Sequence, residues 1–107
     1  MLAQASAQQE TSFSWLTSGK VITGKDQSWC GSCWIFAAAT EQESLQAIID
    51  RTDPVHISEQ EGLDCNEVGN DCLTGGYRYQ YWQMSKDLGS QADEGYPYEI
   101  SQGACRN

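Results

Sequence analysis

Basic residues are scarce in this chain. Six lysines and arginines face fifteen aspartates and glutamates in 107 residues, leaving a formal charge of -9. So acidic a balance excludes nucleic acid and anionic membrane as partners, because both bind by having their negative charge neutralised by Lys and Arg. Long apolar runs are absent as well, and none approaches the roughly 20 residues that a membrane-spanning helix needs. Met1 to Ala7 end in small residues, as a signal-peptide cleavage site does, but lack its charged start and apolar middle. They read as a tail, and the whole polar stretch 1–12 is expected to be irregular. Histidine is nearly missing, with His56 the only one. Repeats and low-complexity linkers are absent, which leaves a chain of the size of one modest domain.

Cysteine is the exception to this scarcity. Five cysteines in so short a chain point to an oxidising compartment and a disulfide framework. The number is odd, so one thiol is left over once four have paired, and three connectivities are open for those four. Two of the five fall in Gln27-Ser28-Trp29-Cys30-Gly31-Ser32-Cys33-Trp34, directly before the apolar run Ile35-Phe36-Ala37-Ala38-Ala39. A thiol at that junction sits at a helix N-terminus, where unpaired N–H groups and the helix dipole favour an anion. Chemistry by a cysteine nucleophile would be centred there.

The remaining elements follow from periodicity. Phe13 to Lys25 is broken by Gly19 and Gly24 and offers one short strand around Lys20-Val21-Ile22-Thr23. Ser32 to about Asp50 is helical, with Trp34, Ala38, Leu45, Ile48 and Ile49 on one face, and Arg51-Thr52-Asp53-Pro54 stops it. One of Glu41 and Glu43 is expected to be buried and paired. Ser58-x-x-Glu61 has capping-box spacing and opens a short helix to Cys65. A loop from Asn66 to Gly76 leads to a third helix, in which Tyr77, Tyr81, Met84 and Leu88 recur as a core stripe and Gly89 ends the run. Ser90 to Asn107 reads as loop around Tyr96-Pro97-Tyr98.

These motifs, in this order, resemble the N-terminal half of a papain-family cysteine peptidase. The resemblance runs from about residue 13 to 107. Trp15, Gly19, Val21 and Lys25-Asp26-Gln27 match the lead-up to the nucleophile, and Cys30-Gly31-Ser32-Cys33-Trp34 matches the nucleophile signature itself. Ile57-Ser58-Glu59-Gln60-Glu61-x-Leu63-Asp64-Cys65, the pair Gly75-Gly76 and Tyr96-Pro97-Tyr98 match further landmarks. The implied fold is mainly α with irregular loops: the disulfide-stapled, left-hand helical half of the papain-like α+β fold over 13–107, without its right-hand β domain. The resemblance makes Cys33 the nucleophile and Gln27 an oxyanion donor beside the Cys33 backbone N–H. It makes Gly75, Gly76 and Trp34 substrate-binding, and it pairs Cys30 with Cys72 and Cys65 with Cys105. The implied reaction is hydrolysis of a peptide or protein substrate through a thioester, in a secreted or lysosome-like setting, with no cofactor and no metal.

The sequence departs from that pattern in instructive places. The family's histidine base and its asparagine lie roughly 130–150 residues past the nucleophile, beyond Asn107. His56 falls where the family has no catalytic residue and reads as structural. The 107 residues are therefore expected to be inactive alone. Trp34, Ile35 and Phe36 are expected to expose an apolar patch that needs cover from the rest of a longer chain, a complementary polypeptide or a second copy. Leu73 and Thr74 put an extra residue before the glycine pair, and Gly62 replaces an apolar helix residue at a propensity cost of roughly 1 kcal/mol. A non-catalytic structural module derived from a peptidase is the main alternative. Trp29-Cys30-Gly31-Ser32-Cys33 also resembles a thioredoxin-like dithiol, but the polar Gly24 to Ser28 replaces the buried strand that such a motif follows. A zinc site on Cys30, Cys33, Cys65 and Cys72 has too wide a second spacing.

Overall fold

The computed structural model describes residues 12–106, so most of the expected tail 1–12 lies outside the described residues. Helix α1 runs over Cys33–Asp50, α2 over Glu59–Cys65 and α3 over Arg78–Leu88, followed by a 3₁₀ turn at Asp93–Gly95. The fold is mainly helical, and no strand occurs among the described residues. One isolated antiparallel bridge joins Ile57 to Ala92. The strand expected at Lys20–Thr23 is irregular instead. Gly19 and Gly24 bracket it with positive φ angles of 76° and 81°, and it has no neighbouring strand to complete a hydrogen-bond ladder.

The core forms where α1, α2 and α3 meet. Trp34, Ile35 and Ala38 of α1 pack with Leu63 and Cys65 of α2, Tyr81 and Met84 of α3, and Cys30. Trp34 and Ile35 are therefore buried within this chain, and Phe36 is half-buried, which corrects the patch expected at those three residues. The large apolar side chains left open on α1 are Leu45 and Ile49. The periodicity had put both on the core face. Glu43 and Ala47 take the inward positions there, because Lys25 brings a charge for Glu43 to meet. The Tyr77–Leu88 stripe divides likewise: Tyr81 and Met84 are buried, whereas Tyr77 and Leu88 at its ends are exposed.

Helix ends follow local chemistry. Arg51 adopts a left-handed conformation, φ 58°, and its N–H bonds the Ala47 carbonyl, so α1 stops before Asp53-Pro54 can act on it. Ser58 Oγ accepts from the Glu61 N–H at 3.0 Å, forming half of the capping box. The Glu61 carboxylate turns away and accepts from the Gln91 N–H at 2.8 Å. Gly62 is explained by packing: a Cβ there would lie 2.8 Å from Ile35 Cγ2 and 2.9 Å from the Tyr81 ring.

Candidate active site around Cys33

The segment before α1 is folded back on itself by short-range bonds. Asp26 Oδ1 accepts from the Ser28 N–H at 2.7 Å, and Ser28 takes φ 59°, a conformation unfavourable for a residue with a Cβ. This reversal brings Gln27 Nε2 to 2.8 Å from the Cys30 carbonyl, to which it donates. The chain then turns tightly, with the Ser32 N–H bonding Cys30 O at 2.8 Å. Gly31 lies against the Cys72 loop: its N–H bonds Cys72 O at 2.8 Å, and a Cβ would stand 2.7 Å from that oxygen. Any side chain at residue 31 would force the two strands of this junction apart.

Cys30 is bonded to Cys72, and Cys65 to Cys105. Cys33 is the free cysteine; it is exposed and is the first residue of α1. The carbonyl of Ser32 takes the Ile35 and Phe36 N–H groups at 2.9 and 3.1 Å. The Cys33 N–H has no acceptor among the described residues, as expected of the first residue of a helix. These bonds remove the dithiol reading, since Cys30 is committed to Cys72 and not to Cys33. They also leave no thiolate on Cys30, Cys65 or Cys72 for zinc.

Tyr98 holds the junction from the C-terminal side, a role the sequence reading did not assign. Its hydroxyl donates to the Gln27 carbonyl at 2.7 Å and lies 2.8 Å from Ser32 Oγ. Its ring meets Phe36 edge to face at 5.0 Å. Burial pushes its phenol above the ordinary range, partly offset by the Ser32 hydrogen bond. The neutral hydroxyl thus stays a donor that ties the residues on both sides of Cys30.

Gly75 and Gly76 are half-buried, and Gly75 has a positive φ of 66°. A Cβ on Gly76 would run into the Asn70 amide, Gln80 Oε1 at 2.9 Å and Trp34 Cδ2 at 3.0 Å. Trp34, only 3% exposed, therefore sits beneath the glycine pair and supports it from the core. The extra residue in Leu73-Thr74 is accommodated by Asp71, whose carboxylate accepts from both of their N–H groups at 2.9 Å. Those two bonds hold the Asp71 carboxyl below its usual range. The turn between Cys72 and Gly75 is thereby closed locally, with Leu73 left exposed.

The one histidine is occupied elsewhere. His56 Nε2 is 3.0 Å from Glu59 Oε1 and Nδ1 is 3.7 Å from Asp93 Oδ2. Beside it, Lys25 Nζ lies 2.7 Å from Glu43 and 2.7 Å from Glu59, both of them buried. Glu43, His56 and Glu59 are, among the described residues, the cluster able to offer three ligand atoms to a cation. The Lys25 ammonium already fills that role, so the cluster reads as a buried ion-pair network that anchors α1 to α2. Cys33 and Gln27 thus lie on the α1 side of the Cys30–Cys72 bond, and the glycine pair lies on the other.

Comparison with known proteins agrees with this geometry. Residues 9–107 match the papain family cysteine protease profile. The low-temperature-induced cysteine proteinase of Solanum lycopersicum is 37% identical over 95 residues, covering 88% of this chain and 27% of that protein. Mexicain of Jacaratia mexicana is 39% identical, covering 89% of this chain and 44% of its own length. The crystal structure of a Carica candamarcensis cysteine protease in complex with E-64 superposes with a TM-score of 0.84 at 34% identity, covering 92% of this chain and 45% of that one. The chain thus spans less than half the length of these relatives.

Proposed function

Because the chain belongs to the papain family of cysteine proteases, whose members act on peptide or protein substrates, we propose that it supplies the nucleophile half of a peptidase site. Cys33 is the attacking thiolate. Its sulfur adds to the scissile carbonyl and the developing oxyanion takes hydrogen bonds from the Cys33 N–H and the Gln27 amide; the base that took the thiol proton returns it to the departing nitrogen, and the amine leaves a thioester that water then hydrolyses. Gly75 and Gly76 let an extended peptide backbone come close, since neither carries a Cβ. The observation that carries this reading is the free, exposed Cys33 at the first position of α1, with the Gln27 amide held on the carbonyl of Cys30 three residues earlier.

The general base comes from outside these residues. His56 is held by Glu59 and Asp93 and is taken up in the α1–α2 anchor, so residues 1–107 alone do not turn over substrate. Exposed Leu45 and Ile49, with Phe13, Trp15 and Leu16, give a complementary polypeptide an apolar surface to cover. Further sequence of the same protein, a second chain or a second copy would each meet that need. Two disulfides fit an oxidising compartment, secreted or lysosome-like.

The test uses E-64, the compound carried by the Carica candamarcensis neighbour, on protein from its natural source without reduction. Stoichiometric labelling at Cys33, absent in Cys33→Ser, together with hydrolysis of a peptide substrate when the complementary segment is present, is the expected result. A thiol that reacts with small alkylating agents but with neither E-64 nor substrate in any assembly would leave a non-catalytic structural module.

A further inference from the structure

A cavity of about 390 Å³ lies between the loop that follows α2 and helix α3. That volume falls within the range of small-molecule sites, roughly 300–1,000 Å³. Val68, Tyr79, Met84 and Leu88 give it apolar walls, and Glu67 and Asp87 give it two carboxylates. No lysine, arginine or histidine lines it.

Three observations single it out from an ordinary surface dent. Val68, Tyr79 and Leu88 are large apolar residues left exposed side by side with buried Met84, so a ligand body would remove apolar surface from water on entering. The Glu67 and Asp87 side chains make no hydrogen bond or ion pair with any described residue; the local polar chemistry of this wall is unspent. Asp87 also stands in the last turn of α3, where unpaired carbonyls concentrate negative charge and disfavour an anion. Lys86, its neighbour, does not line the cavity and forms no ion pair. A cation placed here would be attracted by both carboxylates and by the helix end, within a chain of net charge -9.

We propose that this cavity binds a small organic cation, an ammonium group carried on an aromatic or branched aliphatic body. The ammonium meets Glu67 and Asp87, and the body lies on Tyr79, Met84 and Leu88. The flexible, polarisable Met84 adapts to different bodies, while the two carboxylates select for charge. This site is independent of the peptidase reading and shares none of its residues.

The probe is 2-phenylethylamine, with 2-phenylethanol as its neutral counterpart, titrated into the native disulfide-bonded protein labelled with ¹³C at methionine methyls. The amine is expected to shift the Met84 methyl resonance with a Kd of about 1 mM, in keeping with the efficiency of small ligands. Asp87→Asn combined with Glu67→Gln is expected to weaken it about tenfold, and 0.5 M salt to weaken it similarly, the Debye length then being only about 4 Å. Neither carboxylate has a partner to lose, so the variant should unfold at the wild-type temperature. Equal affinity for the alcohol, an unmoved Met84 signal up to about 10 mM amine, or unchanged binding by the folded double variant would each overturn the proposal.

Discussion

Lys25→Met would unfold much of this domain's stability through a single charge. The ammonium lies 2.7 Å from both oxygens of Glu43 and 2.7 Å from Glu59 Oε2. Those two carboxylate side chains are 0% and 1% exposed. Glu43 also accepts from the Ile57 N–H at 2.7 Å, and Glu59 from His56 at 3.0 Å, but these donors cannot replace a full charge. Removing one partner of a buried pair costs about 3–5 kcal/mol, since the stranded ion keeps its desolvation penalty and loses its compensation. Here one lysine serves two carboxylates, so the upper end applies, about 5 kcal/mol out of the 5–15 kcal/mol typical of a domain. Methionine retains most of the side-chain volume, which keeps the loss electrostatic. The assay is urea unfolding at pH 7, followed by tryptophan fluorescence, with Cys33 alkylated to prevent disulfide exchange. A deficit under about 1 kcal/mol would refute the reasoning.

Four further outcomes follow from the same structure. Gly62→Ala gains helix propensity of about 1 kcal/mol, yet should destabilise by about 1–3 kcal/mol, because the new Cβ meets Ile35 and Tyr81 below 3 Å; a rise in Tm would show the packing to be loose. Ser58→Ala removes the cap on Glu61 and the bond donated to Tyr96 O at 2.6 Å, and denaturant titration should show a loss of about 2 kcal/mol. Tyr98→Phe keeps the ring on Phe36 and deletes the two hydroxyl contacts to Gln27 and Ser32; a cost of about 1–2 kcal/mol and slower E-64 labelling of Cys33 are expected. Tyr81 is pushed up to about 12, chiefly by burial. Its folded pKa lies above the unfolded value of about 10, so the stability it contributes is complete below pH 10 and is lost as pH rises toward 12. Tyrosine absorbance and unfolding should therefore rise together in that window.

The elements that depend on local chemistry were legible in the sequence. The start of α1 after Cys30-Gly31-Ser32, the cap at Ser58 and the end of α3 at Gly89 all rest on residues within a few positions of one another. Facing was harder to read. Leu45 and Ile49 fit an apolar stripe, but an inward Glu43 with an ion partner eighteen residues earlier turned that stripe outward. No periodicity carries that information, because the pairing of Lys25 with Glu43 is set in three dimensions. Tyr98 escaped for the same reason: its contacts with Gln27 and Ser32 span 71 and 66 residues. Gly62 looked like a defect because helix propensity is a property of one residue, whereas the Ile35 and Tyr81 side chains that need its empty volume come from two other helices.

Helix α2 explains how the loops are held where no strand occurs among the described residues. Ser58, Glu59, Gln60 and Glu61 are all 0–1% exposed, although a polar run at a helix start reads as surface. Glu59 meets the Lys25 and His56 side chains, whereas Ser58, Gln60 and Glu61, with Asp64, serve loop backbone. Glu61 accepts from the Gln91 N–H, Gln60 Oε1 from the Glu99 N–H, and Asp64 from the Gly103 N–H, at 2.8, 2.7 and 2.7 Å. Gln60 Nε2 returns a bond to the Ser101 carbonyl at 2.7 Å. Gln60 and Glu61 are the buried partners, and stranding their side-chain groups would cost about 1–3 kcal/mol each. Helix α2 is thus a rack of acceptors, on which the segment from Gln91 to Gly103 is laid. That segment delivers Tyr98 to the junction beside Cys33 and ends next to the Cys65–Cys105 bond. An apolar residue at Gln60 would satisfy hydropathy and still fail, because Glu99 and Ser101 would lose their partners and Tyr98 its path to the nucleophile.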